Sequence, residues 1–216
     1  MTATVALIDY GSGNLRSAEK ALVEVARRHH APVEIITTAD PEIVAAADRI
    51  VLPGVGAFAA CMDALAARSG LVEAMTEAVQ GRGVPFLGVC VGMQLLADRG
   101  LEFGMRAGLG WIPGEVRKLE PSDPHAKVPH MGWNTLELER PHPLFEGATD
   151  QTHMYFTHSY AFDVSDESAV LAVTDHAGRF AAAVAKGNIA GVQFHPEKSQ
   201  KAGLELIGRF LAWKPQ

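Results

Sequence analysis

The sequence predicts an α/β fold: an open, mostly parallel sheet flanked by helices, with a smaller antiparallel β portion in the C-terminal half. Three observations predict it. Up to Gly100, short apolar runs alternate with stretches whose apolar residues recur at helical spacing. Beyond Gly100 the segments shorten, Gly and Pro become frequent, and most strand-like pieces read as antiparallel and half exposed. Between these halves the apolar run Pro85 to Val89 leads into Gly-x-Cys-x-Gly and then a helical pattern. A chain of 216 residues with 48% hydrophobic content is expected to be one domain, 1–216, with a single large core.

The elements follow in order. Val5 to Ile8 reads as a strand, Asp9 to Asn14 as a turn, and Leu15 to His29 as a helix with Leu15, Ala18, Leu22, Val25 and Ala26 at helical spacing. Val33 to Ile36 is a second strand. Asp40 caps a helix to about Ala47, with Pro41 at its first position. Arg49 to Leu52 is a third strand, ended by Pro53-Gly54-Val55-Gly56. Helical pattern covers Phe58 to Leu65, Leu71 to Gln80 and, past Cys90, Met93 to Ala97. Strand-like segments then run over Val116 to Leu119, Thr135 to Leu138, His153 to Tyr160, Ala169 to Thr174, Phe180 to Ala185 and Ile189 to Phe194. A polar loop spans Glu120 to Lys127, and Gln200 to Leu211 is an amphipathic helix.

Composition excludes several classes. A net charge of −6 with no basic run argues against nucleic-acid binding. Two cysteines do not make a disulfide framework, so we expect a cytoplasmic protein with reduced thiols. The first residues carry no cationic segment and no apolar run long enough for a signal or a membrane span.

Cys90 is the candidate nucleophile. A residue between glycines at a strand-to-helix corner is held in a strained, exposed turn, and a helix N-terminus favours the thiolate. A lone cysteine is usually a small buried hydrophobe. This composition, however, yields only about 0.02 chance Gly-x-Cys-x-Gly matches. A thiolate needs a proton partner. Among nine histidines, His195 follows the run Ile189 to Phe194 at a strand's C-terminal end, where open α/β sheets place their sites. Glu197, two residues on and stiffened by Pro196, can orient the ring. Acyl transfer also needs donors to an oxyanion: the N–H of Val91, and one from the Pro53 to Gly56 loop, Val55. His153 and His158 face opposite sides of one strand, His29-His30 ends a helix, and no cluster has metal-ligand spacing, so no metal and no cofactor is expected. Gly11 and Gly13 lack the third glycine of a dinucleotide fingerprint.

Gly88-Val89-Cys90-Val91-Gly92-Met93-Gln94, the Pro-Gly-Val-Gly loop and His195-Pro196-Glu197 together resemble the class I glutamine amidotransferases, a flavodoxin-like family, over essentially the whole chain. Asp9 to Asn14, Pro129-His130-Met131-Gly132-Trp133-Asn134, Tyr155 to Tyr160 and Gly191 to Ser199 narrow the resemblance to glutaminase subunits of imidazole glycerol phosphate synthases. The resemblance implies hydrolysis of glutamine through a Cys90 thioester, with His195 as acid and base and Glu197 orienting it. It implies glutamine contacts from Gly54, Val55, Gly56, Gln94, His158, Ser159 and Tyr160. Glu102 is the best match for a carboxylate that meets the glutamine ammonium. It implies ammonia transfer to a separate (β/α)8-barrel cyclase subunit in a heterodimer, with Asn14, Trp133 and Lys198 near the partner. It also implies a glutaminase that stays slow until the partner carries its ligand, and we expect the Pro53 to Gly56 loop to be the switch. Three other readings are weighed: a glutaminase serving another synthase, a stand-alone cysteine hydrolase of γ-glutamyl compounds, and a non-catalytic binding module that kept the fold, which the intact Cys90, His195 and Glu197 oppose.

Overall fold

The computed structural model describes residues 2–11, 14–29 and 32–215. Gly13 and His30 lie outside the described residues. The N-terminal half alternates as its periodicity dictates. Strand β1 (Ala3–Ile8) is followed by α1 (Leu15–Arg28), β2 (Val33–Thr38), α2 (Pro41–Ala46), β3 (Arg49–Gly54), α3 (Phe58–Ala66), α4 (Leu71–Thr76), β4 (Phe86–Cys90) and α5 (Val91–Gln94). Helix α1 buries Ala18, Leu22, Val25 and Ala26. Asp40 caps α2 by accepting from the Glu42 N–H at 2.9 Å, with Pro41 at the position that needs no donor.

The second half holds β5 (Arg99–Gly100), β6 (Arg106–Ala107), β7 (Gly114–Lys118), β8 (His130–Thr135), β9 (Glu137–Leu138), β10 (His153–His158), β11 (Tyr160–Val164), β12 (Val170–Asp175), β13 (Arg179–Lys186), β14 (Ile189–Val192) and α6 (Gln200–Ala212). Among the described residues the main sheet has eight strands in the order β2-β1-β3-β4-β14-β13-β12-β9. The first five run parallel, and the last three join antiparallel to one another and to β14. Four short strands form a second sheet, β11-β7-β5-β6, and β8 pairs with β10.

Two expectations need correction. The C-terminal strands are not all half exposed: β10 alternates as expected, but β13 does not. Phe180 to Ala185 of β13 are all buried, because β13 is an interior strand of the main sheet. Covered on both faces, it reads as a continuous run of small apolar residues rather than an alternation. The helix expected over Met93 to Ala97 is a single turn, Val91–Gln94. Leu95 to Ala97 are fully buried and hand their carbonyls to Leu109, Trp111 and Gly110, so the chain bends away beneath the site.

The sheet decides where chemistry can occur. Progress along it reverses between β1 and β3, the switch point at which open sheets leave a crevice. Gly54 pairs with Cys90 and Val192 with Val89, so β3, β4 and β14 end level with one another. Among the described residues no helix is long and apolar enough to cross a membrane.

Candidate active site

Cys90 closes β4 with φ 56° and ψ −112°, a strained conformation for a residue with a Cβ. Strand β4 is buried at every residue, so packing fixes the corner. The flanking glycines are steric requirements. A Cβ on Gly88 would lie 2.5 Å from the Gly92 carbonyl oxygen, and one on Gly92 would overlap the carbonyl of Leu52. With α5 only four residues long, the helix dipole offers the sulfur little, and its environment depends on side chains.

His195 reaches the sulfur from the other end of the chain. Its backbone is clamped to β10: the His195 N–H donates to the Tyr155 carbonyl at 2.9 Å, and Ser199 Oγ donates to the His195 carbonyl at 2.6 Å. Nδ1 lies 2.8 Å from Glu197 Oε1, and both side chains are buried. The carboxylate can only accept, so Nδ1 carries a proton. Asn14 Nδ2 donates to the same Glu197 oxygen. Burial pulls the imidazole down, but the nearby sulfur of Cys90, and then the carboxylate of Glu197, outweigh it and push it up to about 9. Among the described residues, His195 Nε2 is the buried side-chain polar atom left without a hydrogen-bond partner.

Cys90 and His195 share a cavity of about 480 Å³ with Val55, Gly56, Val91, Gln94, Glu102, Ser159, Tyr160 and Lys198. Several expected contacts sit differently from their assigned roles. Gly54 is buried inside β3 and does not line the cavity. Glu102 Oε2 accepts from the Phe58 N–H at 2.8 Å, capping α3, whose own N-cap Ala57 has no side-chain acceptor. Both N–H donors of Gln94 are used internally, on the Tyr160 carbonyl and on Gln193, so it can offer a ligand only its oxygen. His158 borders the cavity, but its nitrogens meet the Tyr160 carbonyl and His130, leaving its ring nothing to give. Asn14, expected near a partner, lines the cavity and donates its amide to Glu197. Lys198 Nζ lies 5.9 Å from the Tyr155 ring centre, and Trp133 is 47% exposed outside this cavity.

Sequence reasoning missed Gln193, which is fully buried and donates to Cys90 Sγ at 3.7 Å. The signal was present: a polar side chain inside an apolar strand must find a partner. A second cavity of about 460 Å³, between β11 and β13, lies away from Cys90 and carries mixed charge without a nucleophile. Among the described residues no group of His, Cys, Asp and Glu could hold a metal ion.

Comparisons with known proteins fit this geometry. Residues 6–212 match the profile of the class-I glutamine amidotransferase family. The chain is 62% identical to imidazole glycerol phosphate synthase subunit HisH of Caulobacter vibrioides, over 98% of this chain and 99% of that one. It is 55% identical to the Zymomonas mobilis protein of the same name, over 99% and 98%. Its fold is similar to that of a solved glutamine amidotransferase, with a TM-score of 0.67 at 20% identity, covering 94% of this chain and 98% of that one.

Proposed function

We propose a division of labour at this site from one premise: the chain belongs to the class I glutamine amidotransferases, and within them to the HisH subunits of imidazole glycerol phosphate synthase. The protein is a glutaminase subunit of that synthase, and its ammonia goes to a cyclase subunit. We assign the chemistry to Cys90, His195 and Glu197, within one amidotransferase domain.

The Cys90 thiolate attacks the side-chain amide carbon of glutamine, and the carbonyl pair moves onto oxygen. The Val91 and Val55 N–H groups hold that oxyanion. His195 gives its Nε2 proton to the departing nitrogen, the C–N bond breaks, and ammonia leaves a γ-glutamyl thioester on sulfur. Neutral His195 then takes a proton from water as the water oxygen attacks the thioester. Collapse expels the thiolate and releases glutamate, with the proton back on His195. Glu197 keeps the ring protonated and aligned, because its oxygen fixes Nδ1–H. Gly56, Gln94 Oε1, the free oxygen of Glu102 and the Ser159–Tyr160 backbone supply glutamine contacts from the cavity wall, and Gly54 shapes it from behind.

His195 Nε2 carries this assignment. A buried ring nitrogen left unpaired costs about 1–3 kcal/mol, and it is tolerated here beside a strained sulfur whose partner in the reaction must reach the same nitrogen. Ammonia released into water would be protonated and lost, which favours direct transfer to a (β/α)8-barrel cyclase bound as a cytoplasmic heterodimer. Met131 and Trp133, two residues apart on β8 and at 64% and 47% exposure, offer that partner an apolar face. The test is glutamine hydrolysis by Cys90→Ala and wild type, with and without the liganded cyclase. We expect loss of at least about a thousandfold on substitution and activation of wild type by the partner. Retained hydrolysis in Cys90→Ala overturns the assignment, and equal wild-type rates without the partner favour a stand-alone hydrolase.

A further inference from the structure

We propose that Gln193 is a dedicated hydrogen-bond donor to the Cys90 sulfur, locked in that orientation by a relay through Gln94 to the Tyr160 carbonyl. The proposal rests on Cys90 being the nucleophile. Val192 pairs with Val89, which brings Gln193 beside Cys90 at the sheet's edge. Gln193 Nε2 lies 3.7 Å from Sγ, within reach of an N–H···S bond, and its Oε1 accepts from Gln94 Nε2 at 3.0 Å.

The direction of each step is forced. The Tyr160 carbonyl can only accept, so the Gln94 nitrogen faces it, at 2.8 Å. The other Gln94 N–H then points at Gln193 Oε1, and the Gln193 nitrogen is left facing sulfur. The Tyr160 carbonyl also accepts from His158 Nδ1 at 2.9 Å, which leaves His158 Nε2 as an acceptor. It takes the Nδ1–H of His130 at 3.1 Å, and His130 Nε2 accepts from Asn134 Nδ2 at 3.3 Å. Burial pushes His130 down to about 4 and His158 to about 3, so at neutral pH neither ring gains the second N–H that would break the bond between them.

A donor fixed on sulfur favours thiolate over thiol, and an amide forced to present its oxygen would do the reverse. Other charges near the sulfur are separate from this contact: His195 faces it with Glu197 behind, and Glu102 and Lys198 line the same cavity.

The test is the pH dependence of Cys90 alkylation by iodoacetamide in the full chain, read on the Cys90 peptide by mass spectrometry so that Cys61 does not interfere. In Gln193→Met, which keeps length but has no donor, we expect the midpoint to rise by about one pH unit, a tenfold loss of thiolate preference. In Gln193→Glu it rises further, because an acceptor then faces sulfur. Unchanged midpoints in both variants overturn the proposal. In wild type, the Gln193 side-chain amide resonances should titrate with the alkylation midpoint, and their failure to move overturns it even where a variant does not fold. Hydrolysis by Cys90→Ala would instead remove the nucleophile assignment, a separate failure.

Discussion

His195 and the His130–His158 pair are buried almost equally, at 1%, 4% and 7% exposure, yet they end in opposite charge states. In the pair every ring nitrogen has a neutral partner, and burial wins: both are held below the usual histidine range. At His195 a carboxylate holds one nitrogen and the sulfur lies near the other, so burial loses and the ring is held above that range. Depth alone therefore does not set histidine charge in this chain. The partners' formal charge does, and the group that stays charged is the one whose remaining nitrogen is unpaired. The satisfied pair fixes geometry, and the unsatisfied ring is left able to move a proton.

Removing the negative partner should cost the most. Glu197→Gln keeps the shape but deletes the charge, so His195 falls from about 9 toward its ordinary value of 6.5. The glutaminase rate drops at least about a hundredfold, the scale of a lost acid–base function. Its alkaline limb, where His195 loses the proton that ammonia needs, moves to lower pH. Stability carries the same sign. A raised histidine contributes fully below 6.5 and loses that contribution as pH rises through about 9. In Glu197→Gln the fall over that window should shrink. An unmoved alkaline limb would show that Cys90, rather than the carboxylate, holds the charge.

The paired histidines predict the opposite slope. Their folded values lie below 6.5, so the unfolded chain binds protons first, and stability falls as pH drops from 6.5 toward about 4 and 3. His158→Phe strands the His130 Nδ1–H and one lone pair of the Tyr160 carbonyl, and should cost about 2 kcal/mol at neutral pH by urea unfolding. The gap to wild type should narrow in mild acid, where wild type bears the penalty of one more histidine that cannot take its proton. A gap that widens would mean that His158 is charged in the folded chain.

The two histidine environments were not equally legible. Cys90, His195 and Glu197 could be read because each sits in a local pattern: glycines around a corner, a ring after a strand, an acid two residues on. The parallel half could be read for the same reason, since its periodicity is local. The relay could not, because its contacts join residues far apart in sequence, such as Gln94 with Gln193 and Gln94 with Tyr160. The membership of β13 in the main sheet was hidden because an interior strand has no alternation to display. The single turn after Cys90 was overread because Leu95 and Leu96 are apolar for burial beneath the site, not to continue a helix.

Asn14 gives the smallest expected effect. Its φ of 71° is left-handed, a conformation that Asn tolerates and Ala does not, so an alanine would confound backbone strain with the lost amide. Asn14→Gly removes the side chain without that strain. Glu197 Oε1 then keeps its bond to His195 without the second donor, and the carboxylate can rotate. We expect kcat for glutamine hydrolysis to fall about tenfold, the scale of one hydrogen bond to a charged group, with KM little changed. Asn14→Asp should fall further, since it sets a second carboxylate against the first. If Asn14→Gly instead leaves kcat intact and weakens cyclase binding, the residue belongs to the partner surface that its motif suggests, and His195 is held by Glu197 alone.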